Sequence, residues 1–301
     1  MKSPVLSILF LLISVTLLAV PNDFRFRHFS VEDGLSSNSV RAIMQDKYGF
    51  LWIGTEEGLN RYDGIMIKSY SICPQAAGKY ISSLYGTKKN IWIGTDEGIY
   101  IYAYATETFT YFDLTTPNNV RITSIVNHIL QDKDGNLWFS TNGQGLFRYN
   151  LSKNYLEQYE FTSAFGIVAS TMADSDNQIW ALTNQGESGV YKLNKAENKF
   201  EPFGLLYNAG NHHSQALAML EDSEQTLWLG TWECGLQKID KYTRQTTTYL
   251  HPTDGKGVTH IHSLMEYAPH QLLIGSDDGL LLFNTLTDCL LYTSDAADDK
   301  A

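Results

Sequence analysis

Cysteine is nearly missing: Cys73, Cys234 and Cys289 are the only three in 301 residues. They are odd in number and far apart, so they supply neither a disulfide framework nor a metal-knuckle spacing. Charge is scarce too. Asp, Glu, Lys and Arg make up 18% of the chain, and 22 basic against 33 acidic residues leave a net charge of -11. With no basic run, a polyanionic nucleic acid is not the expected partner. Long apolar runs are missing with one exception. Residues 5–20 follow Lys2 and are broken only by Ser7, Ser14 and Thr16; the run is short for a membrane span and suits a secretory signal. A signal peptide over residues 1–20 and export are therefore expected, with a retained anchor as the alternative. Ala19 fits the residue before a cleavage site, whereas Leu17 is large for the position two residues earlier.

What is plentiful is aromatic and small: 13% aromatics, including 18 Tyr, with 23 Gly. That composition, rich in turns and strand formers, belongs to an all-β globular chain. Its order is repetitive. Aligned on one position, six segments read "GFLWIGTEEGLNRYD", "KNIWIGTDEGIYIYA", "GNLWFSTNGQGLFRYN", "NQIWALTNQGESGVYKLN", "QTLWLGTWECGLQKID" and "HQLLIGSDDGLLLFN". The anchors are Trp52, Trp92, Trp138, Trp180 and Trp228, with Leu273 in the sixth, at intervals of 40, 46, 42, 48 and 45 residues. An apolar stretch precedes each anchor and often ends in Asp ("VRAIMQD", "VNHILQD", "STMAD", "ALAMLED"). A further strand-like run follows ("IMIKSYS", "TFTYFD", "TTTYL").

Each period thus holds four short strands parted by Gly, Asp and Asn turns, with no convincing amphipathic helix. A lone four-stranded sheet cannot bury both faces, so the copies must stack. Four strands per roughly 45 residues, radially repeated, predict a β-propeller; a leucine-rich solenoid needs a shorter period. With strands named A to D from the centre outward, the anchor lies on B and packs between blades. The Gly after it permits close sheet approach. Gly58, Gly98, Gly145, Gly189, Gly235 and Gly279 suit a left-handed position in the B–C turn. The recurring acids Glu56, Glu57, Asp96, Glu97, Asp277 and Asp278 read as turn residues rather than a general acid and base.

The segment "FRHFSVEDGLSSNSVRAIMQDKYGFLWIGTEEGLNRYDG" closely resembles the start of the two-component regulator propeller of hybrid sensors in Bacteroidetes-type bacteria. The resemblance extends over residues 24–288, with the fourth and sixth copies degenerate. It implies seven-bladed propellers, commonly two. Further modules follow in that family: an immunoglobulin-like domain, a membrane helix, a histidine kinase, a receiver and a DNA-binding helix-turn-helix. None of these is found in this sequence. The resemblance also implies a periplasmic region, anchored in the inner membrane and dimeric in the full-length protein, that senses glycans or oligosaccharides and controls polysaccharide-utilisation genes. It implies no catalysis and no cofactor in this region.

The last stretch, "CLLYTSDAADDK", stands outside the repeat and adds acids and alanines where a D strand should run. It resembles a translated transposase adapter, since TGT CTC TTA TAC ACA TCT encodes Cys-Leu-Leu-Tyr-Thr-Ser. Residues 289–301 are therefore expected to be non-native, with the propeller region, residues 21–288, cut off within its sixth copy. Six copies of an expected seven leave an open ring, prone to association through its end faces.

Residues that break the repeat on the face shared by the B–C turns and the loops leading into strand A are the candidates for ligand binding. The fifth copy breaks it most: "TWECG" places Trp232 and Glu233 beside "NHHSQ", with His212 and His213. A surface Trp flanked by polar side chains suits stacking on a sugar. Asn142, Gln144, Gln185 and Glu187 occupy matching turns in the third and fourth copies, and Asn38 and Lys79 the loops leading into the first and second. The alternative is that Trp232 caps its blade or meets a partner domain. His212, His213, His251, His260, His262 and His270 raise the question of zinc. His260 and His262 share one side of a strand, but no third ligand has a diagnostic spacing, so no metal site is expected. Two rival functions remain: a propeller glycoside hydrolase or lyase, which would need non-repeated carboxylates or a His pair at the channel, and a purely structural dimerisation propeller.

Overall fold

The computed structural model describes residues 26–72, 79–161, 166–183, 189–207, 215–251 and 258–294; the segment 1–20 and the site candidates His212, His213, Gln185 and Glu187 lie outside them. Strands form six antiparallel meanders. Blade 1 holds β1 (Val40–Gln45), β2 (Leu51–Thr55), β3 (Gly58–Tyr62) and β4 (Ile67–Tyr70); blade 2 holds β5 (Ile81–Gly86), β6 (Asn90–Thr95), β7 (Gly98–Ala103) and β8 (Thr108–Tyr111). Blade 3 holds β9 (Val126–Gln131), β10 (Leu137–Thr141), β11 (Leu146–Asn150) and β12 (Tyr155–Tyr159). Blade 4 holds β13 (Val168–Ala173), β14 (Ile179–Thr183), β15 (Val190–Asn194) and β16 (Lys199–Pro202). A short β17 (Leu206–Tyr207) then runs parallel to the outer edge of blade 5, which holds β18 (Ala216–Glu221), β19 (Leu227–Thr231), β20 (Leu236–Ile239) and β21 (Gln245–Tyr249). Blade 6 holds β22 (Ile261–Ala268), β23 (Gln271–Ser276), β24 (Gly279–Asn284) and β25 (Cys289–Ser294). The fold is the all-β propeller that the repeats imply.

The B strands are apolar on both faces because both faces are covered. Every residue of β10, β14 and β19 is buried. Each anchor reaches into the following blade: Trp52 packs with Ile81, Ile91, Ile93 and Tyr102, and Trp228 with Ile261, Leu272, Ile274 and Phe283. Truncating such a side chain to Ala costs about 3–5 kcal/mol. The close approach explains the glycine after the anchor, since a Cβ on Gly54 would lie 2.5 Å from Ile81 Cγ2 of the next blade. The six B–C turn glycines all have positive φ.

A second repeated interaction organises each blade. Asp46, Asp132, Asp174 and Asp222 end strand A six residues before the anchor, and each accepts the indole N–H at 2.7–2.9 Å. The other carboxylate oxygen caps the A–B turn: Asp46 Oδ1 accepts from the Tyr48 and Phe50 amides, and Asp222 Oδ1 from Glu224 and Thr226. In the same four blades a cation from strand C lies over the anchor ring. Arg61, Arg148, Lys192 and Lys238 stand 5.7, 5.6, 5.1 and 5.8 Å from it.

Successive A strands pack side by side from β1 through β5, β9, β13 and β18 to β22. No comparable packing joins β22 to β1 among the described residues, so the ring is open. Ile43 of β1, paired with Ile53 on the face opposite Trp52, is 64% exposed, and Met265 of β22, paired with Leu273, is 54% exposed. One expectation needs correction. Cys289–Ser294 does occupy the D position of blade 6, pairing from Asn284↔Cys289 to Leu280↔Ser294. A short run of Leu, Tyr and Thr adds readily to an unpaired strand edge whatever its origin.

Candidate functional site

The B–C turn of blade 5 is built so that Trp232 must stand proud of it. Thr231 Oγ1 donates to the Gly235 carbonyl at 2.8 Å and accepts the Cys234 amide at 3.0 Å, while Gly235 takes the left-handed φ of 68° that closes the turn. Cys234 is buried beneath. The Trp232 amide donates to the Gln215 carbonyl, and its own carbonyl accepts the His260 amide, both at 2.9 Å. Its backbone therefore bridges the loops leading into blades 5 and 6, which confirms that B–C turns and incoming loops share one face. Five of the six tryptophans are at most 3% exposed; Trp232 is 40% exposed.

The nearest chemistry comes from blade 6. The His260 ring stacks on Trp232 with centroids 3.9 Å apart and planes inclined by 31°. His260 itself has a φ of 48°, a left-handed conformation that a non-glycine residue adopts at some cost. Its Nδ1 bonds Asp277 Oδ2, and His262 Nε2 meets Oδ1 of the same carboxylate at 2.7 Å. These two imidazole bonds hold the Asp277 carboxyl below its usual range. The Asp278 carboxylate accepts the Thr259 amide at 3.3 Å, fixing the loop beside it. One indole face is thus covered by an oriented imidazole and the rest is open, beside the exposed Glu233. Such a group can stack on a ligand and exchange hydrogen bonds with it. Among the described residues no cluster of three or more His, Cys, Asp or Glu could hold a metal ion.

The other candidates are dispersed. Asn142 donates its amide to the Ile125 carbonyl and is exposed in the turn of blade 3. Gln144 is engaged at both ends of its side chain, accepting the Thr123 and Ser124 amides and donating to the Arg121 carbonyl. Asn38 Oδ1 accepts the Val31 amide at 2.9 Å. Lys79 is buried with its ammonium on Glu97. The turn acids behave as turn partners: Glu56 pairs with Arg41, and Glu97 with Lys79. Local sequence pattern does not tie His260 and Asp277 to Trp232. The "HIH" pattern was a signal, but its partner Trp lies 28 residues earlier, in another blade.

Among the described residues, two shallow clefts lie away from Trp232. One, of about 410 Å³, sits on blade 5 beside Lys238, Lys241 and Tyr242. The other, of about 420 Å³, lies between blades 2 and 3 beside Trp92 and Tyr149.

Residues 34–57 and 120–143 match the two component regulator propeller family, covering the loop leading into strand A through the B–C turn of blades 1 and 3. Over 68 residues the chain is 46% identical to histidine kinase P4 of Formosa agariphila, a stretch that is 23% of this chain and 5% of that protein. The fold is similar to the extracellular domain of the putative hybrid two component system BT3049 from B. thetaiotaomicron. The TM-score is 0.73 at 23% identity, over 89% of this chain and 37% of that one. It is also similar to virginiamycin B lyase from Staphylococcus aureus, with a TM-score of 0.65 at 14% identity, over 85% of this chain and 84% of that one. Both structural likenesses bear on the fold alone, and the chain spans well under half of the histidine kinase and of the sensor ectodomain that it resembles. Among the described residues no helix is long and apolar enough to cross a membrane. Blades 1 and 3 thus match the two component regulator propeller family, and all six blades share one architecture.

Proposed function

We propose that this chain is the periplasmic sensory propeller of a hybrid two-component system and binds an oligosaccharide at the face that carries Trp232. The observation that carries this reading is the contrast between the five buried anchors and Trp232, held half-open against His260. A platform fixed before the ligand arrives loses little freedom on binding. The C–H face of a sugar ring packs on indole, and Glu233, Asp277 and His262 supply the acceptors and donors that hydroxyls need. The relatives support the setting: one is a histidine kinase, another the extracellular domain of a hybrid two component system. In this reading the partners are the remaining sensor modules, including the membrane helix and kinase, and the full-length protein is dimeric and anchored in the inner membrane.

A second reading has a specific observation behind it. Two imidazoles on one carboxylate form a general-base arrangement, and propeller lyases share the fold. One experiment separates the readings. The chain is titrated calorimetrically with neutral oligosaccharides while the solution is assayed for products. Binding without turnover, weakened roughly tenfold by Trp232→Ala, is the expected result, equivalent to about 1.4 kcal/mol. Product formation shows an enzyme. Affinity unchanged by Trp232→Ala removes this site and favours a structural, dimerisation role.

A further inference from the structure

Blade 2 breaks the pattern at a place the turns do not reveal. Its anchor Trp92 is 3% exposed, as the repeat demands, but both groups that serve the anchor elsewhere are missing. At the end of strand A, where four blades have Asp, stands Thr87, whose amide donates to the Asn90 carbonyl as the Asp46 amide does to that of Phe50 and whose short side chain only caps the A–B turn. On strand C, opposite the anchor, the position of Arg61, Arg148, Lys192 and Lys238 is taken by Ile101. In consequence the Trp92 indole N–H has no hydrogen-bond partner among the described residues. A buried donor left unsatisfied costs about 1–3 kcal/mol, and in native proteins such a group calls for an explanation.

The same substitutions accompany a cleft. With no long cation folded over the anchor, a depression of about 420 Å³ opens between blades 2 and 3, lined by Trp92, Ile101, Phe112 and Tyr149. That volume is within the range of small-molecule sites. The aromatic wall is ordered: Trp92 lies 5.4 Å from Phe112 and 5.8 Å from Tyr149, and Phe112 lies 5.0 Å from Tyr149. The rim is polar. Asn90 and Asn154 bring side-chain amides, and Asp113 brings a carboxylate already paired with Arg121 at 2.8 Å. Asn154 is tied to the wall by the Tyr149 hydroxyl, which donates to its Oδ1 at 2.8 Å.

We propose that the cleft between blades 2 and 3 is a binding site for a neutral, hydroxylated ring such as a disaccharide unit. An aromatic wall takes the apolar face of the ring, and the amides of Asn90 and Asn154 exchange hydrogen bonds with its hydroxyls. An anionic ligand is disfavoured because no cation lines the cleft and a carboxylate stands on its rim. A purely apolar ligand would bury the rim amides unanswered. This site is separate from Trp232, three blades away, and does not depend on it.

The test uses saturation-transfer difference NMR on the chain with maltose, cellobiose and xylobiose as neutral probes and digalacturonic acid as an anionic one. At least one neutral disaccharide is expected to show transfer, and digalacturonic acid none. Ile101→Arg reinstates the cation of the other blades and fills the cleft, so the signal should fall at least fivefold while the melting temperature holds. Asn90→Ala, whose side chain makes no other hydrogen bond, should lower the signal as well. Trp232→Ala should leave it in place. The proposal is overturned by no transfer from any neutral probe, by transfer that survives both Ile101→Arg and Asn90→Ala, by stronger transfer from digalacturonic acid, or by loss in Trp232→Ala alone. That last outcome would leave the reading of the Trp232 face standing.

Discussion

The indole N–H of Trp138 donates to Asp132 Oδ2 at 2.8 Å, and the same carboxylate accepts the Asn136 amide at 2.8 Å and its side chain at 2.9 Å. One aspartate thus ties the end of strand A, the A–B turn and the inter-blade anchor of blade 3 into one buried unit. Asp132→Ala would strand at least two buried donors, at about 1–3 kcal/mol each. The expected loss is about 2–5 kcal/mol, read as a fall in the urea midpoint at unchanged slope. Asp132→Asn keeps one acceptor oxygen and should lose about half as much. A loss below about 1 kcal/mol for the alanine variant would show that water replaces the carboxylate.

Blade 2 offers the converse. Thr87→Asp places a carboxylate where the other blades have one: the Thr87 amide donates to the Asn90 carbonyl as the Asp46 amide does to that of Phe50, on the side of the turn that carries the unpartnered indole elsewhere. Satisfying the indole should add about 1 kcal/mol, seen as a rise of roughly 2–4 °C in melting temperature. A fall in melting temperature would mean that the A–B turn of blade 2, one residue shorter than that of blade 1, holds the carboxylate away from the indole.

These two positions show what could be read in advance. The anchors and their spacing gave the blade count and strand order, because a tryptophan that must fill an inter-blade gap recurs at a fixed place. The aspartates recurred just as regularly, yet their purpose was hidden. A residue six places before a Trp touches it only once the A–B turn has folded back. The site was harder still. Trp232 stood out by breaking "TWECG", but its partner His260 arrives from the next blade, a pairing that depends on how blades are stacked rather than on local pattern. Gln144 and Lys79 show the reverse: polar residues in the right loops, held in place by bonds to neighbouring backbone and to Glu97.

His128, on β9, makes stability depend on pH. Burial lowers its pKa from 6.5 to about 4, partly offset by a hydrogen bond to the Thr171 backbone, and its Nδ1 has no partner among the described residues. The unfolded chain protonates this ring near pH 6.5 and the folded chain near 4, so between those values the unfolded state binds more protons. Folding stability from this group is therefore complete above about pH 6.5, falls as pH drops through that window, and levels off below 4. The full loss is on the order of 3 kcal/mol. Denaturation midpoints from pH 7.5 to 4 should decline less steeply in His128→Gln than in the parent. Parallel declines would place the acid sensitivity elsewhere.

The open ring leaves two apolar walls, and Ile43 and Met265 stand on opposite ones, 64% and 54% exposed. Both sit on A strands, whose counterparts in the interior of the ring are covered by a neighbouring blade. Exposed sheet faces of this kind associate, and burying one large aliphatic side chain against a second copy gains about 1.5–3 kcal/mol. The chain should therefore self-associate in a concentration-dependent way. Ile43→Lys combined with Met265→Glu should weaken that association at least tenfold, because each charge would have to be desolvated at the interface. Both substitutions fall on exposed positions, so the melting temperature at low concentration should stay within about 1 °C of the parent value. Sedimentation velocity across a hundredfold range of concentration reads the result directly. Unchanged association in the double variant would move the contact away from the opening. Equal association of the double variant and only one single variant would assign it to one wall, and so to a face-to-face rather than a head-to-tail arrangement.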